Sequence, residues 1–367
     1  MLLAWKEDWP AARQRLEAWW QGEALERVAL QVTAPKAGAV RPSQPSLASL
    51  PALDADATQE QVEAAWLDLE ARLERFERAA ANTFYGGEAY PSLTTFFSSD
   101  SLSAYLGCAC IFSAVQPDTI WFKEALPRRE LPLFALTPDN KWWRATLEMT
   151  ALAAERSQGR YFVGHTDIGG VGDVLSHLRG PQQLCLDLAD DAEWVREMER
   201  RLEPLWFAVY EQQEALLVPY LEGSDGWLHV WGPGRTYPIQ CDLSALISPG
   251  MFADVFLPYV AAQARWLDNC VYHLDGPSAI RHLDLLLDIP EIRAIQWVPG
   301  DGNGPLSRWL SLLRRIQQAG KSVVVTAQPN EIEALLDGLS PAGLLIQTSC
   351  ASEAEAHQLL KDATTWT

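Results

Sequence analysis

The sequence predicts an α/β fold: a (β/α)8 TIM barrel with an N-terminal helical extension and a long loop or arm. From about residue 160, short β-rich runs alternate with longer helical patterns, which is typical of parallel strands joined by helical crossovers. Adding "VALQV" at 28–32 gives eight strand-like segments, the number in a closed barrel. The 367 residues, 48% of them hydrophobic, are enough for one large core.

The N-terminal part, 1–150, is expected to supply the first strand, helices and an arm near the rim of the barrel. The segment 9–25 has helical spacing, and 58–81 has a clear amphipathic helical pattern. Between them, 35–56 is rich in Pro, Ser and Ala without periodicity, which indicates an extended loop or arm. A neighbouring subunit could order such an arm, so a homodimer is one expected assembly.

The main barrel is predicted over 160–350, within a single domain that spans 1–367. Its strands are expected at "YFVGHT" (161–166), "GWLHVW" (226–231), "YPIQCD" (237–242), "CVYHLD" (270–275), "AIQWVPG" (294–300), "SVVVTAQ" (322–328) and "GLLIQTS" (343–349). Helical patterns separate most of these strands, at 181–222, 250–268, 278–288, 305–319 and 330–338.

The charge balance excludes one class of partner. With 29 Lys+Arg against 48 Asp+Glu, the formal charge is −19, and so acidic a chain repels the phosphate backbone of nucleic acids. No signal-peptide pattern and no apolar run long enough to span a membrane is present, so a cytoplasmic protein is expected. The six scattered cysteines are expected to be free thiols.

Polar and aromatic residues stand at or just beyond the downstream ends of the predicted strands. In a barrel these ends form one rim, where active sites are built. The residues at this rim are His165, Asp167, Trp231, Cys241, Asp242, His273, Asp275, Gln296, Trp297, Asp301, Gln328 and Cys350. Two tryptophans in so acidic a chain predict a rim pocket that is rich in aromatic residues and acidic or neutral.

The stretch "VYHLDGP" at 271–277 places a histidine and an aspartate two positions apart. Because alternate residues of a strand share a face, His273 and Asp275 can converge on one point, and barrel closure could bring Cys350 to them. Imidazole, carboxylate and thiolate are all zinc ligands, and three of them leave a fourth position open. The residues alone leave an alternative, in which His273 is a satisfied strand-end histidine, Asp275 caps the next helix and Cys350 is buried.

Four longer segments resemble the uroporphyrinogen decarboxylase superfamily, and especially its zinc-dependent methyltransferase branch. They are "GHTDIGGVGDVLSHLRGPQQLCLDLADD", "CDLSALISPGMFADVFLPYV", "YHLDGPSAIRHLDLLLDIPEIRAIQWVPGDG" and "LLIQTSCASEAEAHQLL". That branch carries His-x-Cys after one strand and a second Cys after the last, and the resemblance assigns these places to His273, Asp275 and Cys350. Asp275 stands where the branch has Cys, which hardens the site. The first 60 residues lack the Arg-x-Ala-Gly-Arg motif of the decarboxylases, so that substrate is not expected.

The resemblance implies a zinc-dependent methyltransferase that moves a methyl group between a corrinoid protein, or a small methylated donor, and a thiol or similar acceptor. Zn²⁺ is expected on His273, Asp275 and Cys350. The chain has no Asp-x-His-x-x-Gly signature, so a corrinoid is expected only on a partner protein. The expected catalytic residues are His273, Asp275, Asp167 and Asp242, and the expected substrate-binding residues are His165, Trp231, Gln296, Trp297 and Gln328.

Two other functions fit the same residues. A metal-independent decarboxylase or lyase of a small acid would use Asp167, Asp242 and His273 as acids and bases. A non-catalytic binding protein would use the aromatic rim to hold a small molecule. The metal content of the protein separates the methyltransferase from both.

Overall fold

A computed structural model describes residues 3–39, 53–54, 56–95, 99–113 and 120–366 of the chain. The strands in chain order are β1 (Ala29–Pro35), β2 (Thr83–Gly87), β3 (Ser92–Thr94), β4 (Ala109–Phe112), β5 (Ile120–Lys123), β6 (Phe162–Gly164), β7 (Thr236–Ile239), β8 (Asn269–Asp275), β9 (Ile292–Val298), β10 (Ser322–Thr326) and β11 (Leu344–Ser349). Seven of them form one sheet in the order β2-β1-β11-β10-β9-β8-β7. Only the β1–β2 pair of this sheet is antiparallel, so the expected α/β architecture with parallel strands is confirmed.

The helices lie mostly between the strands, as the alternation predicts. They are α1 (Trp9–Trp20), α2 (Gln59–Leu67), α3 (Leu69–Ala81), α4 (Ser101–Tyr105), α5 (Lys141–Ser157), α6 (Asp173–Arg179), α7 (Pro181–Asp190), α8 (Ala192–Leu217), α9 (Pro249–Met251), α10 (Leu257–Trp266), α11 (Gly276–Ala279), α12 (Leu283–Leu287), α13 (Leu310–Gln318), α14 (Ile332–Leu336) and α15 (Glu353–Asp362). The pattern at 58–81 forms two helices because the Asp68 side chain caps α3 by accepting from the Ala71 N–H. No helix among the described residues has the length and apolar character needed to cross a membrane.

The prediction of a closed eight-stranded barrel is not confirmed. Among the described residues the ladder of the large sheet ends at β2 and β7, while β3 pairs with β6 in a separate parallel sheet and β4 pairs with β5. A side chain links β7 to the segment after β6: the Tyr237 hydroxyl donates to the Thr166 carbonyl and accepts from the Ile168 N–H, both at 2.8 Å. Most of the predicted arm at 35–56 lies outside the described residues.

The segment 226–231 is not the strand that its apolar pattern predicts. His229 has a φ of +55°, a left-handed conformation, and its N–H donates to the Gly226 carbonyl in a turn. Leu228, Val230 and Trp231 still lie in the core. The segment is therefore apolar because it fills the interior, and not because it pairs with a strand.

The large sheet has two differently packed faces. Its inner face carries a layer of small and apolar residues, namely Ala29, Val271, Ala294, Val324 and Leu345, which pack in one cluster with the tryptophans of α1. The indole N–H of Trp19 donates to the carbonyl of Gly343, just before β11, so α1 lies at the amino-terminal ends of the strands. The outer face packs against the surrounding helices. The carboxyl-terminal ends of the strands are thus left for the polar residues.

Helix α8 buries a carboxyl group. Glu199 is 4% exposed, and its Oε1 has no hydrogen-bond partner in the part of the chain that the structure describes. Burial raises the pKa of Glu199 to about 8, well above its ordinary value of 4.5. Glu199 is therefore neutral in the folded protein at neutral pH, whereas the unfolded chain releases this proton.

Replacing Glu199 with Gln should make the free energy of unfolding less dependent on pH. Between pH 5 and pH 8 the folded wild type keeps a proton that the unfolded chain loses, so its stability should fall by about 1.4 kcal/mol per pH unit relative to Glu199→Gln. Urea unfolding at several pH values measures this difference. Glu211→Gln, at an exposed position of the same helix, is the control and should show no such trend. A difference for Glu199→Gln that stays constant across this range would contradict the assignment.

Candidate metal centre

Three side chains with metal-binding atoms meet at the carboxyl-terminal ends of β7 and β8. Val271 lies in the inner layer, so His273 and Asp275, two and four residues further along β8, belong to the same face. Asp242 begins a short 3-10 helix just after β7, the strand that pairs with β8. One ligand atom each from Asp242, His273 and Asp275 lie within 4.8 Å of one another.

A hydrogen bond to the neighbouring strand orients His273. Gln296 is its register partner on β9, and the Gln296 Oε1 lies 2.5 Å from the His273 Nδ1. Because an amide oxygen only accepts, Nδ1 carries the proton and Nε2 is left as the metal-binding atom. The Trp227 ring packs edge-on against the imidazole, with the ring centroids 5.2 Å apart. Gln296 therefore positions His273, a role that the sequence did not predict.

The Asp242 carboxyl group binds its proton unusually tightly. Although part of the residue is exposed, the protein around its carboxyl disfavours the charged form, and the neighbouring Asp100 and Asp275 add negative charge. Together these effects outweigh the opposing influence of His273 and raise the pKa of Asp242 to about 6. A cation bound between Asp242 and Asp275 would relieve this repulsion.

Two further carboxyl groups lie behind Asp242. Burial, together with the nearby charges of Asp100 and Asp242, raises the pKa of both Asp167 and Asp173 well above the ordinary range. The Asp173 carboxylate oxygens accept from the backbone N–H groups of Asp242 and Leu243 at 2.9 and 2.7 Å, so Asp173 fixes the start of the short helix. We refer to Asp100, Asp167, Asp173 and Asp242 as the acidic cluster.

Two consecutive glycines make room for the acidic cluster. Gly169 has a φ of +110°, and a Cβ there would lie 2.8 Å from the Asp100 Oδ1. A Cβ on Gly170 would lie 2.0 Å from the Asp173 Oδ2 and 2.7 Å from the Gln240 carbonyl oxygen. The glycine-rich turn at 164–172 thus allows the backbone to approach the carboxylates closely.

Cys350 is not among the residues whose ligand atoms converge. It is fully buried in the cluster that packs on the outer face of the sheet, and its N–H donates to the Thr33 carbonyl. Leu345 lies in the inner layer, so Gln347 and Ser349 share its face and Cys350 falls on the opposite one. Asp242, expected as a catalytic residue, occupies the third position beside His273 and Asp275 instead.

The two predicted wall tryptophans lie in the core. Trp231 is 1% exposed, belongs to the inner cluster, and its indole N–H donates to the Glu222 carbonyl. Trp297 is 1% exposed on the outer face, where its ring centroid is 5.0 Å from that of Trp309. Neither lines the cavity between β1, β2 and β11, which Gln31, Tyr85 and Gln347 border.

The remaining predicted residues are spread over different environments. His165 is fully buried, stacked on Tyr210 with the ring centroids 4.0 Å apart. Gln328 is exposed and caps the short 3-10 helix Pro329–Glu331. Asp167 is the one of these residues that lies in the acidic cluster, and its carboxylate accepts from the Gly169 N–H.

Three residues at the site were not predicted from the sequence: Asp100, Asp173 and Trp227. Asp100 lies in a segment without periodicity, and Trp227 lies in the segment that resembled a strand. The sequence around Asp173 could have indicated its position. Asp173 follows a glycine-rich turn and begins a helix, and such a turn after a strand lies at the rim formed by the strand ends.

The fold and the site together define an α/β protein whose strand ends carry a histidine and a group of carboxylates. No protein-family profile and no curated protein matches the chain. Among solved structures, the chain is similar to a methyltransferase from Methanosarcina mazei, with a TM-score of 0.57 and 13% sequence identity over 96% of this chain and 98% of that one. At this identity the likeness shows a shared fold.

Adding one methyl group at Gly170 should disrupt the acidic cluster. Gly170→Ala would force Asp173 and the Gln240 backbone apart, so we expect the free energy of unfolding to fall by about 1–3 kcal/mol. Urea denaturation measures the change. Gly250→Ala is the matched control, because the nearest atom to a Cβ there is 3.9 Å away. Equal stability of the two variants would mean that the close approach at Gly170 is wrong.

Proposed function

We propose that the chain is a metal-dependent methyltransferase in which Asp242, His273 and Asp275 hold a zinc ion. The observation that carries the proposal is the convergence of these three ligand atoms within 4.8 Å at the strand ends. The fold shared with a methyltransferase supports the same reaction class. Methyl transfer to a thiol or similar acceptor is a reaction that agrees with the ligand atoms, with the shared fold and with the family resemblance of the sequence.

The donor set suits a catalytic zinc ion. One imidazole nitrogen and two carboxylate oxygens are established zinc ligands, and three protein ligands leave a position for substrate. The proposed set replaces the buried Cys350 with Asp242, which makes it harder than a thiolate set. When bound, the ion supplies a Lewis acid that favours the deprotonated form of a thiol.

The residues of the chain itself supply orientation and proton handling. Gln296 keeps the Nδ1 proton of His273 in place and so directs Nε2 toward the ion. Trp227 covers one side of the imidazole and limits the access of water to it. Burial and the nearby charges of Asp100 and Asp242 raise the pKa of Asp167 well above the ordinary range, so its carboxyl keeps a proton and would act as a proton donor.

The proposal also covers the source of the methyl group. A corrinoid protein docked over the strand ends, or a small methylated compound, would supply the methyl group. The resemblance of the four sequence segments to the corrinoid-dependent branch favours the docked protein. A homodimer ordered by the segment 35–56 remains a prediction.

Zinc analysis of the purified protein tests the ligand set. The wild type should contain about one equivalent of zinc, and Asp242→Asn and Asp275→Asn should each weaken zinc binding at least about 100-fold, since even outer-shell changes cost 10–100-fold. Mass-spectrometric metal analysis and competition with a chelator provide the measurement. Asp301→Asn, in an exposed loop, is the control.

Cys350→Ala separates the proposed set from the one implied by the resemblance. If Asp242 is the third ligand, Cys350→Ala should retain its zinc. Loss of zinc in Cys350→Ala but not in Asp242→Asn would replace the set proposed here with the His273–Asp275–Cys350 set. A wild-type protein that binds no zinc would overturn the metal-dependent mechanism.

Gln296→Met should loosen the metal while leaving all three ligands in place. Without its hydrogen bond the imidazole loses its fixed tautomer and orientation, so we expect zinc affinity to fall about 10–100-fold. Gln358→Met, on the exposed side of α15, is the matched control. Unchanged affinity in Gln296→Met would remove the positioning role of Gln296.

A further inference from the structure

The segment 131–137 has the side-chain pattern of a β-strand but no strand beside it. Its residues alternate between exposed and half-buried side chains, with the period of two that characterises an extended strand. Phe134 and Leu136 pack against the main hydrophobic core, whereas Leu131 and Leu133 on the other face are 51% and 93% exposed. No strand pairs with this segment in the part of the chain that the structure describes.

One backbone edge of the segment is held by α8. The Glu130 carbonyl accepts from the Trp194 indole N–H at 3.1 Å, and the Pro132 carbonyl accepts from Arg201 at 3.2 Å, with a longer contact of 3.4 Å from Arg201 to the Leu131 carbonyl. Alternate residues of a strand direct their N–H and C=O groups to opposite edges, so those of the even-numbered residues face α8. Pro132, which has no N–H, thus lies on the edge that is already covered.

The opposite edge carries a row of unpaired donors. The N–H groups of Leu131, Leu133 and Ala135 belong to it, and none of them has a hydrogen-bond partner within the described ranges. An exposed edge of this kind is a template on which another strand can pair. The two exposed leucines beside it add a favourable term, since burying one leucine side chain contributes about 1.5–3 kcal/mol.

The charges at its two ends make the segment complementary to a second copy of itself. Arg128 and Arg129 precede it and Asp139 follows it, all of them exposed. Arg129 is paired with carboxylates of α7, whereas Arg128 and Asp139 make no ion pair among the described residues. In an antiparallel pair centred on Leu133, Arg128 of each copy lies opposite Pro138 and next to Asp139 of the other. A parallel pair would bring like charges together instead.

We propose that 131–135 is a dimer interface, in which two copies of the chain pair as antiparallel strands across a two-fold axis at Leu133. Such an interface is isologous, because each copy contributes the same residues. Leu133 of one copy faces Leu133 of the other, and Leu131 faces Ala135. The interface uses none of the residues of the proposed metal centre, so it stands whether or not they hold zinc. It also does not depend on the segment 35–56.

Sedimentation velocity of the full chain tests the interface. The wild type should show a concentration-dependent equilibrium between monomer and dimer. Leu133→Glu should weaken the dimer at least about tenfold, because it places two carboxylates opposite each other at the axis. This variant should fold, since Leu133 is 93% exposed. Leu246→Glu, at another exposed leucine, is the control and should dimerise normally. A wild type that stays monomeric at about 100 μM, or a dimer that Leu133→Glu leaves unchanged, would overturn the proposal.

Exchanging charges tests the antiparallel arrangement. Arg128→Glu and Asp139→Arg should each weaken the dimer about tenfold, because each creates two pairs of like charges across the axis. Combining both changes in one chain should restore it, since opposite charges then meet again. Arg293→Glu, an exposed position on β9, controls for the change in net charge. A double variant that dimerises no better than the single ones would contradict this arrangement.

Hydrogen exchange separates strand pairing from a contact of side chains alone. The amides of Leu131, Leu133 and Ala135 should exchange more slowly in the wild-type dimer than in Leu133→Glu, because pairing protects them. Equal exchange in the two proteins would mean that these N–H groups stay unpaired and that the strands do not form the interface.

Discussion

The alternation of side chains along parallel strands is the constraint on which the candidate site depends. On β8 the inner face reads Val271, His273 and Asp275, so one strand supplies a core residue, a half-buried imidazole and a rim carboxylate in that order. The same parity directs Cys350 away from them, to the outer face. The side chain whose ligand atom meets those of His273 and Asp275 comes instead from the segment after β7, where Asp242 lies.

The pKa values of the carboxyl groups at the strand ends are raised because several of these groups lie close together where the protein excludes much of the water. Burial and mutual repulsion raise the pKa of Asp167, Asp173 and Asp242, so the cluster binds protons more tightly than free aspartates do. Protons and a divalent cation relieve the same repulsion and therefore compete for it. The glycines at 169–170 let the backbone approach closely enough for this crowding to arise.

The segment 226–231 organises the interior in place of a strand. Its apolar residues complete the inner cluster, and its backbone carbonyls accept from the glutamines of β1 and β11. Trp227 of this segment contacts His273 beside the carboxylates, whereas His229 lines the cavity between β1, β2 and β11.

The sequence by itself determined the alternation of strands and helices, the acidic charge, and the placement of His273 and Asp275 on one face, because these depend on local periodicity and composition. Only the tertiary structure decided that Asp242, and not Cys350, joins them, and that Trp231 and Trp297 are buried. It also decided that 226–231 fills the interior and that the hydrogen-bonded ladder stays open at β2 and β7. The physical reason is that the periodicity of a sequence predicts which residues of one strand or helix share a face. Which other segments pack against that face depends on contacts between residues far apart in the chain.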